Sequence, residues 1–484
     1  MYSNDYLLTI DQGGHASRAS IFNKQGEILA HESVSVRVRE PKENWLEHDP
    51  EEMVLSIERA IEKTVGAFGE RAGDIVVAGL STQRSNVVCW DNKTGEALSP
   101  IISWQDRRAA SWIDRFSQHN SMIHRKTGLF LTAHYGVSKL KWCLDNLSAV
   151  RKAYEKGDLC WGPMASFLLF RLLDQHPLLT DPANASRTLL WNLHSLDWDK
   201  ELLDLFGLPL KLLPQCVPTR YSFGDLNVSG KKVPLQIVTG DQSAALFAYG
   251  RPKSETLYIN IGTGAFVQRP FSKYIGGPSK LLSSVVLHEG NELMYVHEGT
   301  VNGAGSALVK SEKELGINPA KGKQQLPEWL KSAKSPPLFL NGVSGLGAPF
   351  WVPNFESRFI GDGGNWEKIA GVIESIVFLL HVNIREIQKL SFSPEMIVVS
   401  GGLAALDELC LKLADISGMP VYRPVECEAT ARGTAYLLAG KPEEWPETKP
   451  GVWFKPGHKP ELKKRFVQWL NLMEEAIEKN KNFR

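Results

Sequence analysis

The chain has 484 residues, 43% of them hydrophobic and 23% charged, with a formal net charge of +1. By length this suggests about two to four domains, and the composition is that of a soluble globular protein. The balanced charge, with no charge block, gives no reason to expect a nucleic-acid or membrane tail, and apolar runs such as Ile376 to Leu380 are far too short to span a bilayer.

Tyr6 to Ile10 reads as a strand ending at Asp11, and Asp11-Gln12-Gly13-Gly14 turns the chain. Strand character resumes at Ala19 to Phe22 and Glu27 to Ala30, around a turn at Asn23-Lys24-Gln25-Gly26. Asp49 is a good N-cap, Pro50 fits the first helical position and Glu52 completes a capping-box pattern. Met53, Ile57, Ile61, Val65 and Phe68 then follow at helical spacing. Ile75 to Leu80 is a buried-type strand running into Ser81-Thr82-Gln83-Arg84. Leu235 to Thr239 is another strand, followed by Gly240-Asp241-Gln242 and a helix over Gln242 to Tyr249.

Tyr249-Gly250-Arg251-Pro252 breaks that helix and marks a boundary near residues 250–255, which divides the chain into lobes 1–252 and 253–484. The second half repeats the opening pattern: strand Thr256 to Ile261, turn Gly262-Thr263-Gly264, strand Ala265 to Gln268. Met396 to Val399 is a strand, Ser400-Gly401-Gly402 a diglycine turn, and Leu403 to Ile416 a helix ended by Gly418-Met419-Pro420. A proline-rich loop from Pro442 precedes a final amphipathic helix bearing Leu462, Phe466, Trp469, Met473 and Ile477 on one face. The six cysteines (Cys89, Cys143, Cys160, Cys216, Cys410 and Cys427) form no CxxC pair and no zinc spacing, and read as small buried hydrophobes in a reducing cytosol. Met1 to Leu8 has no basic stretch of signal-peptide type, so a cytoplasmic location is expected.

Four glycine turns at strand ends give surfaces where backbone approaches a flat or anionic ligand closely. Asp241 at such an edge reads either as a general base or as an N-cap aspartate. Asp11 reads as a water-bridged Mg²⁺ ligand beside backbone amides that face phosphate, or as part of a tight hairpin. Arg18 and Arg84 are candidate phosphate and substrate contacts, or solvated charges. Trp104 either covers the apolar face of a sugar or polyol or belongs to the core. No GxxxxGK[ST] occurs, and Gly303-Ala304-Gly305-Ser306 has Leu308 where a third glycine of GxGxxG would stand, which argues against a P-loop enzyme and a dinucleotide dehydrogenase.

Together these residues resemble the FGGY-type carbohydrate kinases and, within that family, the glycerol kinases. The resemblance is carried by Asp11-Gln12-Gly13 with Ser17-Arg18, Trp45-Leu46-Glu47-His48-Asp49-Pro50, Thr82-Gln83-Arg84, Trp104-Gln105-Asp106-Arg107-Arg108 and Lys139-Leu140-Lys141-Trp142. It continues through Gly240-Asp241-Gln242, Gly262-Thr263-Gly264, Gly345-Leu346-Gly347-Ala348-Pro349, Glu374-Ser375-Ile376, Gly401-Gly402 and Arg432-Gly433-Thr434-Ala435-Tyr436. It implies an α/β fold of two actin-like (ribonuclease H-like) lobes with a cleft between them. It also implies transfer of the γ-phosphoryl group of ATP, with Mg²⁺, to a sugar or polyol hydroxyl.

By position, Asp241 would be the base, and Asp11 and Asp241 would lie near the metal. Gly13, Gly14, His15, Arg18, Thr263 and Gly264 would serve the phosphates, and Gly305, Gly401, Gly402 and Leu406 the adenosine. Arg84, Ser85, Trp104, His134, Gln242 and Phe266 would face the acceptor. Relatives commonly form homodimers or homotetramers, an expectation by analogy.

The chain departs from the family's pattern at several of these positions. The first phosphate loop usually reads Gly-Thr-Thr-Ser-Ser-Arg; here Gly13-Gly14-His15-Ala16-Ser17-Arg18 loses three hydroxyls. Each hydrogen bond lost to a charged group costs about 1.5–3 kcal/mol. Ser85 replaces the glutamate expected after Gln-Arg, His134 stands where a tyrosine is expected, and Leu406 replaces an adenine-contacting asparagine. The expected acceptor is therefore something other than glycerol. The alternative is a catalytically weak or inactive regulatory protein that binds sugar or nucleotide on the kinase fold.

Overall fold

The computed structural model describes residues 5–274, 280–390, 393–425, 428–447 and 449–482. Two sheets organise it. In the first, the strands run in the order Arg220–Val228, Lys231–Gly240, Ile75–Thr82, Tyr6–Gln12, Ala16–Phe22, Ile28–Ser35. In the second the order is Val452–Phe454, Val421–Arg423, Met396–Ser400, Thr256–Ile261, Ala265–Phe271, Glu292–Val301, with Leu282–Glu289 added at the edge. Position by position the directions agree. Each central strand is antiparallel to the hairpin strand that follows it and parallel to its other neighbour. The third strand along is parallel again, and an antiparallel strand closes that side. The strand–turn–strand repeat read from the sequence is thus the start of two equivalent halves.

The helix at Pro50–Phe68 forms as its signals require. Asp49 accepts from the amides of Glu51 and Glu52 at 3.0 Å each, and Met53, Ile57, Ile61, Val65 and Phe68 are all buried. Each such side chain contributes about 1.5–3 kcal/mol of burial, against about 1 kcal/mol for the cap. The capping box does not close: the Glu52 carboxylate instead accepts from the amide and Nε of Arg37 at 3.3 and 3.1 Å. The predicted helix at 403–416 is a short 3₁₀ turn, Gly402–Ala405, followed by a helix at Asp407–Ser417. The predicted helix after Asp241 is also shorter, Asp241–Ala245, and continues as turns to residue 249. The final helix, Pro460–Asn482, buries all five predicted residues, and the Trp469 indole donates to the Phe339 carbonyl at 2.8 Å. It is clamped to the long helix Asn365–Gln388 through Glu374, which meets Arg465 and Lys412. Cys89, Cys143, Cys160 and Cys410 are buried free thiols and Cys216 is partly buried, while Cys427 lies outside the described residues. No helix among the described residues is long and apolar enough to cross a membrane.

The halves are joined by a helix that follows the second sheet's strand at 421–423 but packs on the first sheet. In Ala429–Leu438, the residues Ala431, Ala435, Leu437 and Leu438 share an apolar cluster with Leu7, Val77, Ile237 and Phe247. Arg432, buried in this helix, donates to the carbonyls of Ala248 (2.8 Å) and Gly26 (2.6 Å). At Gly433 a side chain would overlap the Ala244 carbonyl, so only glycine lets the two helices touch. Gly433→Ala is expected to destabilise the protein by about 2–3 kcal/mol through overpacking. Urea unfolding checks this; a midpoint equal to wild type would show that the helices separate freely.

Candidate active site

The first sheet's register assembles the site. Asp11 and Thr239 both stand opposite Ser81, and Gln12 and Gly240 both stand opposite Thr82. Three parallel strands therefore end level, about 4.8 Å apart, and deliver Asp11, Arg84 and Asp241 to one edge. In open α/β sheets ligands bind in the crevice outside these carboxyl ends. Asp241 is the first residue of its short helix rather than its cap; its Oδ1 accepts from the Gln242 amide at 2.7 Å. Thr430, on the crossing helix, donates from Oγ1 to the Asp241 carbonyl at 3.4 Å.

Asp11 is 7% exposed. Its Oδ2 meets Arg18 Nη1 at 3.4 Å, and its Oδ1 is buried with no hydrogen-bond partner. Burial and then the charge of Asp241 push its pKa up to about 7, against the pull of Arg18. Burial likewise raises the Asp241 carboxyl, while Arg84 opposes the rise. Two carboxylates repelling each other, one with an orphaned oxygen, suit a divalent cation. Mg²⁺ takes one or two protein carboxylates and completes its shell with water and substrate phosphates.

At the same edge, Arg84 is buried and donates from Nη2 to the Gln242 side chain. It lies so close to Gly240 that a Cβ there would come within 2.5 Å of its Cδ. Burial and then the neighbouring Arg187 bring its pKa down to about 10. Ser85 follows with φ +66°, rare for a residue other than glycine, and its hydroxyl donates to the Arg187 carbonyl at 3.4 Å. Trp104 is half-buried, its amide fixed by Asn86 Oδ1 at 2.8 Å, and its ring centroid lies 5.2 Å from that of His134. Burial, then Arg107, Lys139, Arg187 and Arg84, hold the His134 imidazole well below its ordinary pKa. Phe266 is half-buried in the second sheet.

In the first glycine turn, Gly13 N–H donates to the Ala16 carbonyl at 2.9 Å, and His15 is exposed. The Ser17 hydroxyl turns away from the loop to bond Ser56 at 2.7 Å, beneath the sheet. The second turn carries an exposed Thr263. The Gly262 and Thr263 carbonyls accept from the amides of Gly305 (2.9 Å) and Ser306 (3.0 Å), which seats the turn on the helix Gly305–Glu314. Gly401, at φ +91°, sits so close to Ile261 that a Cβ would lie 2.7 Å from its carbonyl oxygen; Gly402 is open to solvent. Gly262–Gly264, Gly305 and Gly401 thus come together at one end of the second sheet. Leu406 packs partly against the core of that half.

One group lacked any motif in the sequence. Glu298, buried in strand 292–301, accepts from Arg187 Nη2 (2.9 Å) and Gln268 Nε2 (2.9 Å), and lies 3.6 Å from Arg84 Nη2. Burial alone would raise this carboxyl, yet Arg187 and Arg84 hold it below its ordinary range. A glutamate within a run of buried strand residues was the available signal, because a buried charge requires partners.

A cleft edged by two carboxylates, glycine turns and a buried arginine on two duplicated sheets defines a phosphotransferase of the actin-like fold, and the chain belongs to the FGGY family of carbohydrate kinases. Residues 6–248 match that family's N-terminal domain and residues 257–440 its C-terminal domain. Among curated relatives, glycerol kinase of Geobacter sp. (strain M21) is 34% identical, over 90% of this chain and 89% of its own. Glycerol kinase 1 of Pseudomonas aeruginosa is 33% identical over 90% of each. Among solved structures, Plasmodium falciparum glycerol kinase with ADP superposes with TM-score 0.87 at 21% identity, covering 98% of both chains. A ligand-bound xylulose kinase from Lactobacillus acidophilus gives 0.83 at 21%, covering 97% of both.

The raised pKa of Asp11 has a stability consequence. Between its unfolded value near 3.8 and about 7 the folded chain holds the extra proton, so this group's contribution falls as pH rises through that window. Relative to Asp11→Asn, wild type should lose roughly 2–3 kcal/mol between pH 5 and pH 8.5 without metal. Urea unfolding of both proteins at the two pH values checks this, and parallel pH profiles would contradict it.

Proposed function

We propose that this chain transfers the γ-phosphoryl group of ATP to a hydroxyl of a sugar or polyol other than glycerol. The observation that carries the reading is the convergence of Asp11, Arg84 and Asp241 on one sheet edge, with Asp241 reached by the helix from the other half. Asp241 takes the proton of the acceptor hydroxyl as its oxygen bonds the γ-phosphorus and the bond to the leaving ADP oxygen breaks. Asp11 and Asp241 would hold Mg²⁺ with the nucleotide phosphates, and the ion would supply charge neutralisation. Gly13, Gly14, His15, Arg18, Thr263 and Gly264 serve the phosphates; Gly305, Gly401, Gly402 and Leu406 line the adenosine site. Arg84, Trp104, His134, Gln242 and Phe266 surround the acceptor, beside Ser85.

The reading includes a lobe boundary at residues 252–253, a cytoplasmic location and a homodimer or homotetramer. A binding protein without turnover draws no support from a site whose carboxylates and arginines are all in place.

Asp241→Asn is expected to lower kcat by about 10²–10⁴ while the acceptor KM changes little, as loss of a general base requires. The check is a coupled assay of ADP release over polyols and ketoses. Undiminished acceptor-dependent turnover in the variant would remove Asp241 from the role.

A further inference from the structure

Gly13 to Ala16, the first glycine turn, carry no hydroxyl, and that of Ser17 is spent on Ser56. A side-chain donor reaches the turn from another strand. Gln83 follows strand 75–82, and its backbone N–H donates to the Gln12 carbonyl at 3.1 Å, which holds it level with the end of strand 6–12. A Cβ on Gly14 would lie 2.7 Å from Gln83 Nε2 but 3.6 Å from Oε1, so the amide nitrogen is the atom nearest the turn. Its neighbours dictate this orientation. The Trp104 N–H can only donate, and Asn86 presents Oδ1 to it at 2.8 Å. Asn86 is left with Nδ2 to face Gln83, which therefore presents Oε1, at 3.0 Å, and turns Nε2 toward Gly14. That nitrogen makes no hydrogen bond among the described residues, yet it is not sealed from solvent as the unpartnered nitrogens of Arg84 and Arg187 are. Gly14 does not have a positive φ, so its backbone conformation would accept a side chain; the Gln83 amide is what occupies the space.

We propose that Gln83 is a further nucleotide-binding residue, whose Nε2 donates to an oxygen of the terminal phosphate of ATP where the turn itself has no hydroxyl to offer. This rests on the kinase reading above and adds a residue to its phosphate site. A phosphoryl group passing to a hydroxyl at Asp241 crosses the edge where strands 6–12, 75–82 and 231–240 end level, and Gln83 stands at that edge between the turn and Arg84. An N–H facing a phosphate oxygen makes a charge-assisted hydrogen bond, stronger than one between neutral groups. Being uncharged, the amide adds this donor without pairing to Asp11 in place of a cation.

The test is steady-state kinetics with ATP, Mg²⁺ and an acceptor that the wild type phosphorylates. In Gln83→Ala, kcat/KM for ATP should fall at least about tenfold, the worth of a charge-assisted hydrogen bond, while the acceptor KM at saturating ATP stays within about twofold. A smaller fall in kcat/KM for ATP overturns the proposal and leaves the kinase reading standing. So does a rise in acceptor KM alone, which would mean that Gln83 only steadies Trp104 through Asn86. If Gln83→Ala does not fold, Gln83→Met, which keeps the length and lacks the donor, is read in the same way. Gly14→Thr separates the donor from the packing and decides the case in which both parameters change. In the wild type its side chain displaces the Gln83 amide; with Gln83→Ala its hydroxyl enters the vacated space. It should therefore raise kcat/KM for ATP at least about threefold more in the Gln83→Ala background than in the wild type. The same factor in both backgrounds would overturn the proposal. Should the wild type turn over no acceptor, the kinase reading fails instead, and calorimetry with ATP and Mg²⁺ decides: binding at least about tenfold weaker in Gln83→Ala supports the contact, and a smaller change overturns it.

Discussion

The constraint on which the site depends is the register of three parallel strands. Tyr6–Gln12, Ile75–Thr82 and Lys231–Gly240 come from widely separated parts of the chain, yet their last residues stand level. A slip of one residue would exchange the faces of a strand and take Asp11 or Asp241 away from the shared edge. Register is fixed by burial: Tyr6 to Gln12 is buried at every position, Ile75–Thr82 at every position except Val76, and Lys231–Gly240 from Ile237 to its end. The carboxylates gain their properties from this placement. Held near each other in a desolvated corner, both hold protons more readily than a free carboxylate does, Asp11 up to about pH 7, unless a cation or a substrate supplies positive charge.

A second set of buried charges links the halves. Glu298 belongs to the second sheet, whereas Arg84 and Arg187 belong to the first half. Such a cluster adds little net stability, because desolvation offsets much of the Coulombic gain. Its geometry is nevertheless demanding: removing one partner leaves an uncompensated charge. Its effect is therefore to fix how strand 292–301 sits against the segments that carry Arg84 and Arg187. The Ser283 amide, bonded to the Gly128 carbonyl at 2.8 Å, and the His288 carbonyl, accepting from Thr219 N–H at 2.8 Å, reinforce the same seam. The Arg84 side of the cleft is thus built jointly by both halves, while the crossing helix with Arg432 ties them together behind it.

Much of this was legible in the sequence because the signals were local. Asp49, the apolar spacing through Phe68 and the glycine turns each report on a few neighbouring residues, and each formed where expected. What was illegible was non-local. Glu52 had a competing partner in Arg37, fifteen residues upstream, so its capping box stayed open. Ser17 looked like a loop hydroxyl, but strand alternation turns it inward to Ser56. Glu298 and Arg187 carry no motif, since their meaning arises only from each other.

The same reasoning bears on the first glycine turn. Replacing hydroxyl residues by Gly14, His15 and Ala16 removes side-chain donors, and the remaining hydroxyl, on Ser17, is already engaged below the sheet. The loop keeps its backbone amides, with Gly13 closing the turn onto Ala16. At Gly14 a Cβ would lie 2.7 Å from Gln83 Nε2, so a residue larger than glycine requires Gln83 to move. Gln83 is itself held: its Oε1 accepts from Asn86 Nδ2 at 3.0 Å, and Asn86 Oδ1 fixes the amide of Trp104. The loss of the hydroxyls is therefore not an isolated change in the loop. Glycine at position 14 lets the Gln83 side chain stand beside the first glycine turn, and that side chain is held in turn through Asn86 to the amide of Trp104.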